Sequence, residues 1–493
     1  MRNYILSIDQ STQSTKVFLF GEDGSCLKKI TAVHKQYYPK DGWVEQDGEE
    51  IYQLACGALH QALSETGVDP AQIAALSITT QTDAFVVWDK KTGIPVYHII
   101  GWQCNRGEEI VKRLSPQQAE TIKQKTMSPP QGYLVAAKLC WMLENIPGLR
   151  QKAQAGDVLF GTIESYLIYR FTGGRVHASD YGNAGYTQLL NMQTLCWDKE
   201  LLAYFSIPEN ILPQLKATDG DFGLLQVPGL PEVPITGVIG DSAAALFAQG
   251  GFEKGSVKVT YGTGASILMN VGDCASPPPP SVLPAVGWKM KNGETAYLWE
   301  GTAMYVGDVI QWLVNDLQML SDAASSEAQA RKVDNNGGVY LVPAFNGINA
   351  PLPYPEARTI LTGMSRSTTK SHIVRAALES AAYQIRDFAC AMSEKSGCRI
   401  AQLLADGGVT KNSLLMQFQA DILNIPLIRS QQEDSSAFGA ACIAGLTTGV
   451  YQNYDQIRRL QQSPDTFLPQ MEAQTRKKLV SGWEAAVRQA ICR

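Results

Sequence analysis

Two segments of this chain, roughly half a chain apart, have the pattern of the same supersecondary unit. Residues 4–20 read as an apolar strand, a tight turn rich in Ser and Thr, and a second apolar strand. Residues 256–271 repeat this order around the turn Gly262-Thr263-Gly264. A unit used twice at this separation indicates two lobes of related plan.

The length and the order of the segments agree with two lobes. A chain of 493 residues is too long for one ordinary core. Between the hairpins, helix-like and strand-like segments alternate, as at 51–65 and 73–79, which is typical of an α/β fold. We place the lobe boundary after the apolar helix 243–247, which gives an N-terminal domain 1–252 and a C-terminal domain 253–493.

Composition excludes several classes of partner. The net charge is −5 and Lys and Arg form no long run, so we expect no nucleic-acid partner. An acid at Asp9 interrupts the first apolar stretch, and no stretch of roughly 18 apolar residues occurs, so we expect neither a secretory signal nor a membrane partner. The ten cysteines form no CxxC pair, which favours reduced thiols and a cytoplasmic location.

Three turns carry residue types that bind phosphate. In the turn from Asp9 to Lys16, an acid ends a strand, and hydroxyls, amides and a cation follow it. The second turn is Gly262-Thr263-Gly264, and the third is Asp406-Gly407-Gly408, which precedes a helix. Each turn alone fits a plain polar turn about as well. Together, in strand context, the three favour nucleotide binding.

Asp241 ends a buried strand at Gly240-Asp241 and begins a helix of small residues. A carboxylate fixed there can accept a proton from a substrate hydroxyl. Asp is also a favoured N-cap residue, so a purely structural role stays open from the local sequence.

Several landmarks, in this order, resemble the FGGY family of carbohydrate kinases, and within it the glycerol kinases, over essentially the whole chain. They are Asp9-Gln10, Gly42-Trp43-Val44-Glu45-Gln46-Asp47, Trp102-Gln103-Cys104, Lys138 with Trp141, Leu159-Phe160-Gly161-Thr162, Gly240-Asp241, Tyr261-Gly262-Thr263-Gly264, Val342-Pro343-Ala344-Phe345 and Asp406-Gly407-Gly408.

The resemblance implies an α/β protein with two actin-like (ribonuclease-H-like) domains flanking an interdomain catalytic cleft that holds ATP and Mg²⁺. It implies an ATP-dependent phosphotransferase acting on a hydroxyl of a small polyol or sugar, with Asp241 as catalytic base and Asp9 near the metal. Family members are often homodimers or homotetramers. The implied nucleotide contacts are Thr12, Gln13, Ser14, Lys16, Thr263, Gly307, Gln311, Gly408 and Asn412, and the implied acceptor contacts are Gln81, Thr82, Asp83, Trp102, Tyr133, Asp241, Ser242 and Ser266.

The acceptor positions depart from the glycerol kinase pattern. Thr82-Asp83 stands where those kinases carry Arg-Glu, Ser242 stands for Gln, and Ser266 stands for an aromatic residue. A pocket that loses a guanidinium and gains small hydroxyls predicts an acceptor larger than glycerol. Lys16 replaces a common Arg, which predicts a weaker phosphate clamp.

Three other interpretations of the sequence are open: a glycerol kinase proper, a catalytically silent paralogue that binds nucleotide or sugar, and an ATPase of the actin or chaperone type. Trp102 and Tyr133, which belong to the sugar kinase pattern, argue against the last. The retained acids Asp9 and Asp241 argue against the silent paralogue.

Overall fold

A computed structural model describes residues 3–350, 352–432, 434–461 and 465–492, and it has the two-lobed α/β architecture that the sequence predicts. The N-terminal half contains strands β1 (Tyr4–Gln10), β2 (Ser14–Phe20), β3 (Cys26–Val33), β4 (Gln36–Tyr37), β5 (Glu45–Gln46), β6 (Ile73–Thr80), β7 (Phe85–Asp89), β8 (Ile99–Ile100), β9 (Val158–Thr162), β10 (Ala178–Asp180), β11 (Leu190–Asn191), β12 (Cys196–Trp197), β13 (Gln214–Lys216) and β14 (Ile235–Gly240). Its helices are α1 (Gly48–Thr66), α2 (Glu108–Val111), α3 (Pro116–Thr126), α4 (Val135–Asn145), α5 (Leu149–Ala155), α6 (Ile163–Phe171), α7 (Tyr181–Gly185), α8 (Lys199–Tyr204) and α9 (Asp241–Ala248).

The C-terminal half follows with its own sheet and helices. Its strands are β15 (Val257–Tyr261), β16 (Ala265–Gly272), β17 (Val282–Lys289), β18 (Thr295–Ala303), β19 (Tyr340–Val342), β20 (Ile360–Thr362), β21 (Leu403–Asp406), β22 (Leu427–Arg429) and β23 (Asp465–Phe467). Its helices are α10 (Gly307–Asn315), α11 (Ser325–Ala330), α12 (Lys370–Ser396), α13 (Ser413–Leu423), α14 (Ser435–Thr448), α15 (Tyr454–Leu460) and α16 (Ala473–Ile491).

The two central sheets are built on one plan. The first has the order β14-β6-β1-β2-β3, and the second contains the run β22-β21-β15-β16-β18 with β23 and β17 at its edges. In each sheet, one hairpin strand pairs antiparallel with its partner and parallel with the next strand, as β1 does with β2 and β6, and β15 with β16 and β21. The hairpin that occurs twice in the sequence therefore supplies the first two strands, in chain order, of each central sheet.

The parallel strands bring their carboxyl ends to the same place. Asp9 lies opposite Thr79 of β6, and β14 ends at Gly240 beside Thr80. In the second sheet, Thr260 lies opposite Asp406 at the end of β21. Ligands of open α/β sheets bind at such strand ends, so these positions predict where a site is found.

Helices α9 and α14 cross at very close range and join the two halves. A Cβ atom placed on Gly439 of α14 would lie 1.9 Å from the carbonyl oxygen of Ala244. A Cβ atom on Gly237, which has φ +71°, would lie 2.6 Å from the carbonyl oxygen of Ala440. Only glycine fits where backbones approach this closely. Around the crossing, Phe247, Phe438 and their neighbours form a core to which both halves contribute.

A smaller sheet with the order β4-β5-β8-β7-β9 packs against α4 in the N-terminal half. Lys138 of α4 is fully buried and donates hydrogen bonds to the carbonyl oxygens of Asp83 (2.8 Å) and Gly101 (2.9 Å). Lys138 thereby fixes two loops that face the cleft, including Asp83 in its left-handed conformation at φ +63°.

Candidate active site

The first turn carries an acid and a cation that face each other. Asp9 on β1 pairs directly with Lys16 on β2, and the Lys16 Nζ lies 3.6 Å from the Asp9 carboxylate. The same Nζ donates to Asp434 at 2.8 Å, and Lys29 also pairs with Asp434. Asp9 is only 6% exposed, and burial raises its pKa above the ordinary value although Lys16 opposes the rise. The Lys16 side chain therefore connects strand β2 to Asp434, at the beginning of α14.

A network of side-chain amides supports this turn from below. Gln46 donates to the carbonyl oxygen of Thr12 at 2.7 Å. The Gln81 amide nitrogen lies 3.1 Å from the side-chain oxygens of both Gln10 and Gln46, and 3.3 Å from the carbonyl oxygen of Ser11. Gln81 is buried, and its amide nitrogen contacts the turn at Ser11. The same network gives Gln46, in the Gly42–Asp47 motif, a physical role that the sequence alone did not reveal.

Asp241 stands at the first position of α9, with Gly240 as the N-cap residue. Asp241 is therefore not the N-cap residue of this helix. One carboxylate oxygen accepts a hydrogen bond from the Ser242 N–H at 2.7 Å. Burial raises the pKa of Asp241 to about 7, the negative charge of Asp9 contributes to the rise, and the Ser242 N–H opposes it. A carboxyl group with this pKa can take up a proton near neutral pH.

Three of the residues predicted to bind the acceptor, Ser242, Ser266 and Thr82, lie beside Glu300 or the end of β14. The Ser266 hydroxyl donates to Glu300 at 2.8 Å, and the Ser242 hydroxyl lies 3.5 Å from the same oxygen. A Cβ atom on Gly240 would lie 2.8 Å from the Thr82 methyl group, so Thr82 is next to the end of β14. Serine and threonine side chains thus surround the carboxylates.

Tyr133 and Asp83 belong to the same group of residues. Burial, followed by the charges of Asp83 and Glu300, raises the pKa of Tyr133 to about 12. Burial also raises the pKa of Asp83; Lys138 opposes this, and the charges of Glu300 and Asp241 add to it. The charge of Glu300 thus acts on both groups. Trp102, which is 43% exposed, donates from Nε1 to the Thr12 hydroxyl at 3.1 Å and so connects this region to the first turn.

A cavity of about 770 Å³ adjoins Asp9. Its size is within the range of ligand pockets. Predicted residues that line it are Asp9, Lys16 and Gly408, and further lining residues include Lys29, Lys258, Thr260, Asp406, Arg429 and Asp434. A Cβ atom on Gly408 would meet nothing within 4 Å, so this position opens into space. Five cationic side chains outnumber the three acids in the lining and suit a polyanionic ligand; the cations are Lys16, Lys29, Lys258, Lys411 and Arg429, and the acids are Asp9, Asp406 and Asp434.

The remaining predicted nucleotide residues lie outside the lining of this cavity. The carbonyl oxygen of Thr263 accepts from the N–H groups of Val306 and Asp308 at the start of α10, and a Cβ atom on Gly307 would lie 2.6 Å from the Gly262 carbonyl. Gln311 has an exposed side chain on the same helix. Asn412 caps α13 by accepting from the Leu415 N–H at 3.0 Å. Gln13 is exposed on the first turn, and Ser14 is buried there.

Sequence reasoning missed Lys258 and Glu300. Lys258 is only 2% exposed, and its Nζ lies 3.4 Å from Asp406 and donates to the Thr260 hydroxyl. A lysine in the centre of an apolar strand was a usable signal, because lysine is rarely buried without a partner. Glu300 ends an apolar run in the same way as Asp9, and that pattern could have identified it.

The carboxylates fit a hard divalent cation that takes most of its ligands from phosphates and water. Such a cation needs only one or two protein carboxylates. Asp9 faces the cavity, and one oxygen of Asp406 is buried without a hydrogen-bond partner among the described residues. Within those residues, no group of three or more His, Cys, Asp or Glu side chains forms a metal cage.

Comparison with known protein families identifies the family of this chain. The model of the N-terminal domain of the FGGY family of carbohydrate kinases matches residues 4–248, and that of the C-terminal domain matches residues 257–448. The chain belongs to the FGGY family of carbohydrate kinases. The resemblance predicted from the sequence is therefore confirmed, as is the two-domain α/β fold.

Relatives of this FGGY kinase match over its whole length. The chain is 43% identical to glycerol kinase 1 of Thermotoga maritima over 490 residues, which cover 99% of each chain. It is 42% identical to a glycerol kinase of Desulforamulus reducens, covering 99% of this chain and 97% of that protein. A crystal structure of Plasmodium falciparum glycerol kinase with ADP has a TM-score of 0.95 at 33% identity, covering 99% of this chain and 98% of that one.

More distant structures share the fold. A xylulose kinase from Rhodospirillum rubrum has a TM-score of 0.88 at 22% identity, covering 99% of this chain and 98% of that one. The predicted enzyme class is confirmed: this FGGY kinase is an ATP-dependent phosphotransferase that acts on an alcohol group of a polyol or sugar. In the part of the chain that the structure describes, no helix has the length and apolar character needed to cross a membrane.

Proposed function

We propose that this kinase transfers the terminal phosphoryl group of ATP to a hydroxyl of a polyol or ketose larger than glycerol, with Asp241 as the general base. The observation that carries the proposal is the half-buried Asp241 carboxylate, whose pKa is raised to about 7, among small hydroxyl-bearing residues. The acceptor hydroxyl becomes a nucleophile when this carboxylate takes its proton.

The nucleotide side of the proposal rests on the cationic cavity. Lys16 and Lys258 stabilise the negative charge that spreads over the transferred phosphoryl oxygens. We assign the backbone around Gly408, and the predicted residues Thr12, Gln13, Ser14, Thr263, Gly307, Gln311 and Asn412, to the binding of the nucleotide. Mg²⁺, held near Asp9, supplies further neutralisation of phosphate charge when bound. Closure of the lobes excludes water from the phosphoryl group, which protects ATP from hydrolysis.

The residues assigned to the acceptor are the reason for proposing a substrate larger than glycerol. Thr82 offers one hydroxyl where glycerol kinases offer a guanidinium, and Ser242 and Ser266 leave room that larger side chains fill in those kinases. Loss of a charged donor lowers the binding of the original substrate by about 1.5–3 kcal/mol, or one to two orders of magnitude in efficiency. Gln81, Asp83, Trp102 and Tyr133 complete the proposed acceptor wall.

Initial rates of ADP release with a panel of acceptors test this function. We expect erythritol, xylitol, ribitol or xylulose to give a higher kcat/KM than glycerol. A wide advantage for glycerol would instead support the second candidate, a glycerol kinase proper, which the identity of 43% to a protein of that name favours. ATP binding without any acceptor-dependent ADP release would identify a silent paralogue.

Replacing Ser266 with Phe tests the role of pocket volume. The ring fills space beside Glu300, so we expect the ratio of kcat/KM for glycerol to that for xylitol to rise about tenfold. Ser266→Ala is the matched control, because it removes the hydroxyl without adding volume, and we expect a clearly smaller change in the ratio. An equal change in both variants would rule out volume as the cause.

A further inference from the structure

Glu300 on β18 is held by side chains from both halves of the molecule. One carboxylate oxygen accepts from Ser266 at 2.8 Å and lies 3.5 Å from the Ser242 hydroxyl. The other oxygen accepts from the Tyr186 hydroxyl at 2.7 Å. Ser242 and Tyr186 belong to the N-terminal half, and Ser266 belongs to the C-terminal half. The carboxylate is therefore fixed in one orientation across the cleft.

The position of Glu300 connects it to the acceptor and not to the nucleotide. Its charge acts on the pKa values of Asp83, Tyr133 and Asp241, which surround the proposed acceptor pocket. Glu300 is partly exposed, so a face of the carboxylate remains open to a ligand. A carboxylate offers about four lone-pair sites, and its protein donors do not use all of them.

A single residue, Ser242, lies between Glu300 and the proposed base Asp241. The Ser242 N–H contacts Asp241, and the Ser242 hydroxyl approaches Glu300. A ligand that contacts both carboxylates must extend past this serine. One oxygen of Asp83, another of the residues assigned to the acceptor, is buried without a hydrogen-bond partner among the residues described. The proposed acceptor site thus contains the carboxyl groups of Asp83, Asp241 and Glu300, and more than one hydrogen-bonding group suits a chain with a hydroxyl on each carbon.

We infer that Glu300 is a specificity-determining residue, which accepts a hydrogen bond from an acceptor hydroxyl remote from the one that is phosphorylated and so favours polyols and ketoses of four or five carbons. This inference rests on the proposed function, because it concerns the same acceptor pocket. A hydrogen bond to a charged group makes a large contribution to binding, and it is lost when a ligand is too short to reach it.

Kinetics of the Glu300→Gln variant test the inference. We expect KM for erythritol, xylitol and ribitol to rise at least tenfold, because Gln keeps the size of the side chain but loses the charge and one acceptor oxygen. KM for glycerol and kcat for all acceptors are expected to stay within about threefold of the wild-type values. A purely structural role would instead lower kcat or the melting temperature for every acceptor alike.

Two further variants sharpen the test. Tyr186→Phe keeps the carboxylate but removes one donor that orients it, so we expect a smaller rise in KM for the long acceptors only. Glu294→Gln is the matched control, since Glu294 also accepts from a tyrosine hydroxyl, that of Tyr454 at 2.9 Å, but lies away from the cleft. We expect no change in acceptor preference for this control. If Glu300→Gln does not fold, Glu300→Asp, which retains the charge on a shorter side chain, must show the same selective rise.

Two outcomes separate failure of the inference from failure of the proposed function. An equal loss for glycerol and for the longer acceptors in Glu300→Gln would overturn the inference and leave the proposed function intact. Absence of acceptor-dependent ADP release in the wild-type protein would overturn the proposed function. In that case, calorimetric titration of the wild-type protein and the variant with xylitol still decides the inference, because equal affinities would contradict it.

Discussion

Replacing Asp241 with Asn lowers kcat by about three orders of magnitude, within the range of 10²–10⁴ that a positioned general base contributes. Asn has nearly the same shape and can still contact the Ser242 N–H through its oxygen, but it cannot take up the proton of the acceptor. The measurement is the rate of ADP release at saturating ATP and acceptor. Binding of ADP, followed by calorimetry, serves as the control, and we expect it to change less than twofold. A variant that folds and retains more than a tenth of the wild-type kcat would exclude Asp241 as the base.

The same residue gives the reaction a defined dependence on pH. Burial raises the pKa of Asp241 to about 7, so the protonated form, which cannot act as a base, prevails below that pH. We therefore expect kcat/KM for the acceptor to increase about tenfold per pH unit up to about pH 7 and to level off above it. The residual activity of Asp241→Asn should lack this step.

The two sides of the proposed site differ in their balance of charge. The cavity that we assign to the nucleotide is lined by five cations and three acids: Lys16, Lys29, Lys258, Lys411 and Arg429, with Asp9, Asp406 and Asp434. The acceptor side is surrounded by Asp83, Asp241 and Glu300, with Lys138 buried beneath and donating to carbonyl oxygens. Cations outnumber acids on the first side, and this excess of positive charge favours binding of the ATP phosphates there.

Local patterns explain which parts of the fold could be predicted. The two hairpins follow from apolar strands on either side of polar or glycine-containing turns, and β1 with β2 and β15 with β16 form where the sequence places them. The glycines after Asp406 also predict a turn. In the structure, Gly407 adopts φ +96°, a conformation that favours glycine, in close contact with the Tyr261 backbone. Each of these signals depends on a few neighbouring residues.

Contacts between distant segments explain what could not be predicted. Gln46 and Gln81 are 35 residues apart, and their hydrogen bond beneath the first turn depends on the pairing of separate strands. Glu300 reaches Tyr186, 114 residues away, across the cleft. Nothing in the local sequence of either segment specifies its partner, so these roles required the three-dimensional arrangement.

Replacing Gly439 with Ala destabilises the protein by about 3 kcal/mol, at the upper end of the usual cost of overpacking. The added methyl group would lie 1.9 Å from the Ala244 carbonyl oxygen, and the obstacle is backbone, which cannot change rotamer to relieve the contact. Helices α9 and α14 must move apart, and because α9 begins at Asp241, the proposed catalytic carboxylate moves with it. We expect a melting temperature lower by several degrees together with a reduced kcat.

Gly57→Ala is the matched control for this substitution. Gly57 lies within α1, and a Cβ atom there would meet nothing within 4 Å. Alanine favours the helix over glycine by up to about 1 kcal/mol, so this variant should melt at the same or a higher temperature than the wild type. The two variants add the same methyl group to a helical glycine, and they differ in what that group meets. Equal melting temperatures for the two would show that the α9–α14 crossing tolerates separation and that its close approach does not stabilise the two-lobed fold.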